Sequence, residues 1–282
     1  MTTMGSIKGS STELQKRVIT GLLGAAALMS LVIFGGIFGS AILGVIIALG
    51  MIYEFASIVL TLPDKAEKRN AMLGLTWLVG FTNAFVPRSE YECLLVVFLG
   101  LFLYYLFSAE RHRDEAFSLH FRELMYSIFG MIYLGFLPVF LPLIRGLPNG
   151  QHWVILFFLL VWGEDIAAFF VGKKYGHQRL YPLISPKKTI AGALGGLGAG
   201  LLVAVFYKLV FFHGLPWGSA VIISLVIGAL SQVGDLCESF FKRAFSVKDS
   251  GGILPGHGGF LDRFDGIVFS LPVMYCCAKI LG

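Results

Sequence analysis

Charge is scarce in this chain. Of its 282 residues only 14% are Asp, Glu, Lys or Arg, against about 25% in a soluble domain. Hydrophobic residues make up 56%, and the mean hydropathy is +0.80. That balance excludes both a water-soluble globule and a disordered chain. Cysteine is scarce too. Cys93, Cys237, Cys276 and Cys277 form no Cys-x-x-Cys pair, and three lie in apolar stretches. They read as buried thiols rather than disulfides or metal ligands. There is no Walker A pattern, which excludes that route to a nucleotide. No clear Ala-x-Ala exit follows the first apolar run, so it reads as a retained span rather than a cleaved signal.

What is present is a series of apolar runs, each near the ~20 residues a membrane helix needs. They predict an all-α, multi-pass integral membrane protein with nine spans. The spans fall at about 18–35, 38–62, 71–87, 91–108, 122–145, 152–172, 190–212, 219–241 and 264–281. Gly35-Gly36 and Gly39-Ser40 supply the turn between the first two. Residues 1–17 read as a flexible tail, 18–150 as a transmembrane scaffold, and 151–282 as the working half with two long polar loops. With the N-terminus in the cytoplasm, 18 of the 22 Lys and Arg residues fall on the cytoplasmic side. That asymmetry follows the positive-inside rule and places the C-terminus outside. The formal charge of +5 is then explained by basic loops rather than by nucleic acid.

Gly192, Gly196 and Gly200 recur every fourth residue in the seventh span. One face of that helix is therefore bare and lets a neighbour approach closely. Carboxylates inside a bilayer cost several kcal/mol and point to function. Glu54, Glu164, Asp165, Asp235 and Glu238 are so placed. Glu54 lies near a cytoplasmic interface, where a structural role competes. Ser231, Asp235, Ser239 and Lys242 follow at helical spacing and form one polar stripe.

The densest chemistry lies between Lys248 and Asp265. Glycines and a proline make the segment a loop. Asp262 and Asp265, three apart, share a helix face at the start of the last span. Crowded carboxylates need a cation, and oxygen donors without cysteine suit Mg²⁺. Lys242, Arg243, Lys248 and Arg263 surround the acids. Acids that hold a metal, ringed by Lys and Arg, suit phosphoryl chemistry. The segment Ser185-Pro186-Lys187-Lys188-Thr189 adds cations, and Ser185 or Thr189 could cap the helix that follows.

The pattern Ser239-x-Phe241-Lys242-Arg243, Lys248-Asp249-x-Gly251, Leu254-Pro255-x-His257-Gly258-Gly259-Phe260-x-Asp262-Arg263-Phe264-Asp265 resembles the signature of the CDP-diacylglycerol synthases, or phosphatidate cytidylyltransferases. Asp165, Gly172, the Ser185–Thr189 segment and Gly234-Asp235-Leu236 resemble that family as well. One departure is Ile190-Ala191-Gly192, where members often carry Trp-Glu-Gly. The resemblance implies transfer of a cytidylyl group from CTP to phosphatidic acid, giving CDP-diacylglycerol and pyrophosphate. It also implies a Mg²⁺ requirement, with a second cation left open, and a homodimer. The expected place is a bacterial inner membrane, with the site facing the cytoplasm and no nucleic-acid partner.

On that reading Asp235, Asp262 and Asp265 gather the metal. Lys242, Arg243, Lys248, Arg263, Lys187 and Lys188 hold phosphates, joined by Ser185, Ser239, Gly258 and Gly259. Asp249 is a ligand or an orienting partner for Lys248, and His257 donates to the leaving pyrophosphate. A CTP-dependent lipid kinase of the polyprenol type and an anion transporter are the competing classes.

Overall fold

The computed structural model describes residues 21, 23–86, 90–111, 115–253 and 258–281. The tail at 1–17 and His257 lie outside them. Helices dominate, in the order α1 (Leu23–Phe34), α2 (Gly36–Val59), α3 (Lys65–Phe85), α4 (Glu90–Ser108), α5 (Glu115–Gly130), α6 (Phe140–Arg145), α7 (Gly150–Tyr175), α8 (Ile190–Val210), α9 (Trp217–Ala244) and α10 (Leu261–Leu281). Among the described residues the only sheet is a two-stranded antiparallel ribbon between α7 and α8. Its strands are β1 (Arg179–Tyr181) and β2 (Ser185–Thr189).

Seven stretches among the described residues are long and apolar enough to cross a bilayer. They are Gly36–Val59, Tyr91–Arg111, Ala116–Arg145, Gly150–Tyr175, Ile190–Val210, Trp217–Ala244 and Leu261–Leu281. The two other expected spans fall short for separate reasons. Of the first, residues 21 and 23–35 are described, and their apolar helix is Leu23–Phe34. The third belongs to α3, whose first turns carry Lys65, Glu67, Lys68 and Arg69. The apolar part of that helix is shorter than the ~20 residues a crossing takes.

Local sequence explains the breaks. Gly36 has φ 59°, a left-handed angle open to glycine, and it separates α1 from α2. Pro138 lacks an N–H and clashes with the preceding turn, which disfavours an unbroken α-helix there. The chain passes it with a π-type turn, Met131–Phe136, and a 3₁₀ turn, Leu137–Val139, so α5 and α6 form one bent span. Thr189 caps α8 by accepting the Gly192 N–H at 3.1 Å.

The glycine face of α8 packs on α7. Gly192 lies against the Ala168 carbonyl and Gly172, and Gly196 against the Glu164 carbonyl. A second close crossing joins α9 to α10. A Cβ on Gly234 would stand 2.8 Å from the Asp265 carbonyl, and one on Gly266 would stand 2.6 Å from Ser231 Oγ. Trp153, Phe157, Phe158, Ile223 and Val268 fill the interior. Phe107, Leu202, Ile280 and many other large apolar side chains face outward, far more than a soluble monomer exposes.

The turn from α2 to α3 is held by a buried polar network. Glu123 Oε1 accepts the N–H groups of Thr61 (2.6 Å) and Leu62 (3.0 Å). Its Oε2 takes Lys68 Nζ at 2.7 Å, and Lys68 also reaches Asp64 (2.9 Å) and His120 Nδ1 (3.1 Å). His120 Nε2 lies 2.8 Å from the Tyr105 carbonyl oxygen. Every charge in this network meets an opposite or polar partner.

Candidate active site

The ends of α2, α7 and α9, the starts of α8 and α10, and the ribbon converge at one end of the bundle. The close α9–α10 crossing at Gly234 and Gly266 brings carboxylates of the two helices together there. Asp235 and Glu238 of α9 and Asp265 of α10 each offer an oxygen, and the three oxygens lie within 4.8 Å of one another. Glu238 and Asp265 are buried, at 3% and 8% exposure, whereas Asp235 is half-buried.

Two lysines meet this cluster. Lys188 of β2 pairs with Asp235. Lys242, one turn beyond Glu238, reaches Glu238 Oε2 at 2.8 Å and Asp262 Oδ1 at 2.6 Å. Glu238 Oε1 is buried without a hydrogen-bond partner among the described residues. With Asp262, four carboxylates share two ammonium groups. That is the electrostatic situation a divalent cation relieves.

Asp262 is placed differently from its neighbour Asp265. Besides Lys242, it accepts the N–H of Ser250 (3.2 Å) and the N–H of Gly259 (3.2 Å) at Oδ2, which also lies 3.0 Å from Ser250 Oγ. Its oxygens organise the glycine-rich segment. The acid that stands with Asp235 and Asp265 is Glu238. The sequence carried a signal for it: Asp235 and Glu238 are three apart and share a helix face, as Asp262 and Asp265 do.

The other expected residues are distributed around this centre. Arg243 Nε donates to the Ile184 carbonyl at 3.3 Å and ties the end of α9 to the turn of the ribbon. Ser185 is half-buried and pairs in register with Tyr181. The Lys187 side chain is exposed, and its carbonyl accepts from Arg179 Nη1 at 3.4 Å. Lys248, Asp249 and Arg263 are exposed, and Ser239 is half-buried. Gly258 has φ 83°. Gly259 is buried with no room for a side chain, because a Cβ would run into Ser250 Oγ and Glu54 Oε2.

Glu54 and Glu164, singled out for their depth, part company. Glu164 is 1% exposed and wedged against Gly200 and Gly228, about two helical turns deeper along α9 than Asp235. Neither of its oxygens has a hydrogen-bond partner among the described residues. Asp165 is exposed. Glu54, at 2% exposure, accepts Ser250 Oγ–H at 2.9 Å and the Leu261 N–H at 3.0 Å.

Comparison with known proteins gives the family. The model of the Cytidylyltransferase family matches residues 15–281. A phosphatidate cytidylyltransferase of Brucella suis is 35% identical over 280 residues, covering 96% of this chain and 95% of its own. One from Bacillus subtilis is 32% identical over 276 residues, covering 93% and 97%. One from Synechocystis is 32% identical over 301 residues, covering 94% and 97%. With a family model over nearly its whole length and relatives aligned almost end to end, the chain belongs to the cytidylyltransferase family.

Proposed function

We propose that the protein transfers the cytidylyl group of CTP to phosphatidic acid, giving CDP-diacylglycerol and pyrophosphate for phospholipid synthesis. The observation that carries this reading is the under-neutralised cluster Asp235, Glu238 and Asp265, ringed by Lys188 and Lys242. Such a cluster suits a site for nucleotide phosphates and their metal, and full-length relatives carry the name of this activity.

The residues present fit a hard divalent cation. The donors are all carboxylate oxygens, no thiol is among them, and one buried oxygen has no hydrogen-bond partner among the described residues. Asp235, Glu238 and Asp265 would hold Mg²⁺. When bound, the cation supplies positive charge to the phosphate oxygens of CTP. Asp262 shapes the loop instead, because its oxygens already have donors.

Lys188, Lys242, Arg243, Lys248 and Arg263 draw the triphosphate and the lipid phosphate to this end of the bundle, with Lys187 adding to the field. An oxygen of the phosphatidate headgroup attacks the α-phosphorus of CTP. The new P–O bond forms as the bond to the β-phosphate bridge breaks, and pyrophosphate departs. The attacking oxygen is already anionic, so no side chain need remove its proton. Ser185, Ser239, Gly258, Gly259 and Asp249 line or order the surrounding segments, and His257 would donate to the departing pyrophosphate.

The site faces the cytoplasm of a bacterial inner membrane in this reading, where CTP is made. The lopsided distribution of Lys and Arg supports an inside N-terminus, with the shorter apolar stretches of α1 and α3 counted as the two remaining crossings of nine. A homodimer is part of the proposal and rests on the family resemblance. The test is to incubate the purified protein in detergent with α-labelled CTP, phosphatidic acid and Mg²⁺. Label should enter the organic phase, and omission of phosphatidate or addition of EDTA should abolish it. Movement of γ-label to an alcohol instead would make the protein a lipid kinase.

A further inference from the structure

Glu54 belongs to α2, in the half of the chain that carries none of the signature residues, yet its carboxylate is buried in the signature segment. Its partners are 196 and 207 residues away. Leu261 opens α10, and a first-turn N–H has no acceptor within its own helix. Glu54 Oε2 supplies that acceptor at 3.0 Å. The same oxygen faces Ser250 Oγ at 2.9 Å. Ser250 also lies 3.0 Å from Asp262, but a hydroxyl has one hydrogen. Asp262 has three other donors, Lys242 and the N–H groups of Ser250 and Gly259, so the Ser250 hydrogen goes to Glu54.

The loop is shaped around this carboxylate. A Cβ on Gly251 would stand 2.6 Å from Glu54 Oε1, and one on Gly259 would collide with Oε2. Neither glycine has a positive φ, so proximity to Glu54 accounts for the missing side chains. One turn earlier on α2, Gly50 leaves a notch for Phe260, whose ring carbon would lie 2.6 Å from a Cβ there. Phe55 of α2 stacks on Phe241 of α9, with centroids 4.9 Å apart.

We infer that Glu54 is a positioning residue for the cytidylyl transfer proposed above: it caps α10 and fixes the Ser250 side of the glycine-rich loop. Through Ser250 and Leu261 it sets where Asp262 meets Lys242. Its task needs an oxygen acceptor, not a charge on the substrate.

Three variants and three readouts test this. Glu54→Gln keeps an acceptor at Oε2 and should hold kcat within about threefold of wild type. Glu54→Met keeps the volume, removes the acceptor and should lower kcat about 20-fold, the loss of one hydrogen bond to a charged group. Amide exchange at Leu261 should quicken about tenfold in the Met variant, the size of a lost cap, and stay near wild type in the Gln variant. A Met variant as active and as protected as the Gln variant would overturn the inference. If the Met variant does not accumulate, Ser250→Ala decides. It should lower kcat about fivefold at an unchanged melting temperature, and wild-type kcat there overturns the inference. Wild-type protein that moves no label into lipid would defeat the functional reading alone, because exchange at Leu261 reads the cap without turnover.

Discussion

Two buried polar networks sit at the same end of this bundle, and they are built on opposite terms. In the first half, Lys68, Asp64, Glu123 and His120 are matched to one another and to backbone N–H and carbonyl groups. In the second, Asp235, Glu238, Asp262 and Asp265 share Lys188 and Lys242, and one buried oxygen of Glu238 is without a hydrogen-bond partner among the described residues. A satisfied network rigidifies a fold, whereas an unsatisfied one needs a reason to persist. The first network therefore reads as a fastening for the turn between α2 and α3. The second has the oxygens that the proposed cation would take.

Replacing Asp265 with Asn gives the sharpest test of that contrast. Turnover should fall about a thousandfold or more in the lipid-labelling assay, while the protein inserts, purifies and melts as wild type. Substantial activity would remove Asp265 from the cation's site. Lys68→Met should do the reverse. It leaves Glu123 and Asp64 buried without their ammonium, a loss of about 3–5 kcal/mol read as a lower melting temperature or lost yield. The folded fraction should keep kcat within about twofold, since the two networks share no partner.

Lys242 stands where loop and cluster meet, so Lys242→Met should lower kcat about a hundredfold with a smaller fall in melting temperature than Lys68→Met. At the bottom of the scale is the exposed pair Arg111–Glu67, whose side chains are 59% and 60% exposed. Arg111→Ala should cost under about 0.5 kcal/mol in thermal unfolding and nothing in turnover. A large effect there would mean that exposure does not sort these networks as argued.

Most of the helical architecture is legible from the chain because a membrane helix announces itself by length and apolar content. The break at Gly35-Gly36 and the packing role of Gly192, Gly196 and Gly200 follow from spacing alone. The α3 helix is less legible because one continuous helix mixes a charged start with an apolar remainder. Within the site, spacing shows which residues share one helix face but not which faces meet. Asp262 and Asp265 satisfy the same three-residue rule as Asp235 and Glu238. Only the crossing of α9 with α10 decides that Asp265 turns to Glu238 while Asp262 turns to Lys242 and the loop. The depth of Glu54 in its apolar run flags it, but its partners were out of reach for the same reason, since nothing local links α2 to a loop 196 residues later.

The crossing of Gly234 and Gly266 has a mechanical consequence. Main chain and Cβ atoms meet there, with the Asp265 carbonyl, Gly266 Cα and Phe269 Cβ all crowding the space beside Gly234. Side-chain rotamers hop on fast timescales, whereas two packed helix backbones shift only as rigid bodies. The spacing of the acids is thus gauged by main chain rather than by flexible side chains, one turn or less from Asp235 and Asp265. Heat or a change of surrounding lipid will loosen the outer aromatic side chains well before it alters that gauge.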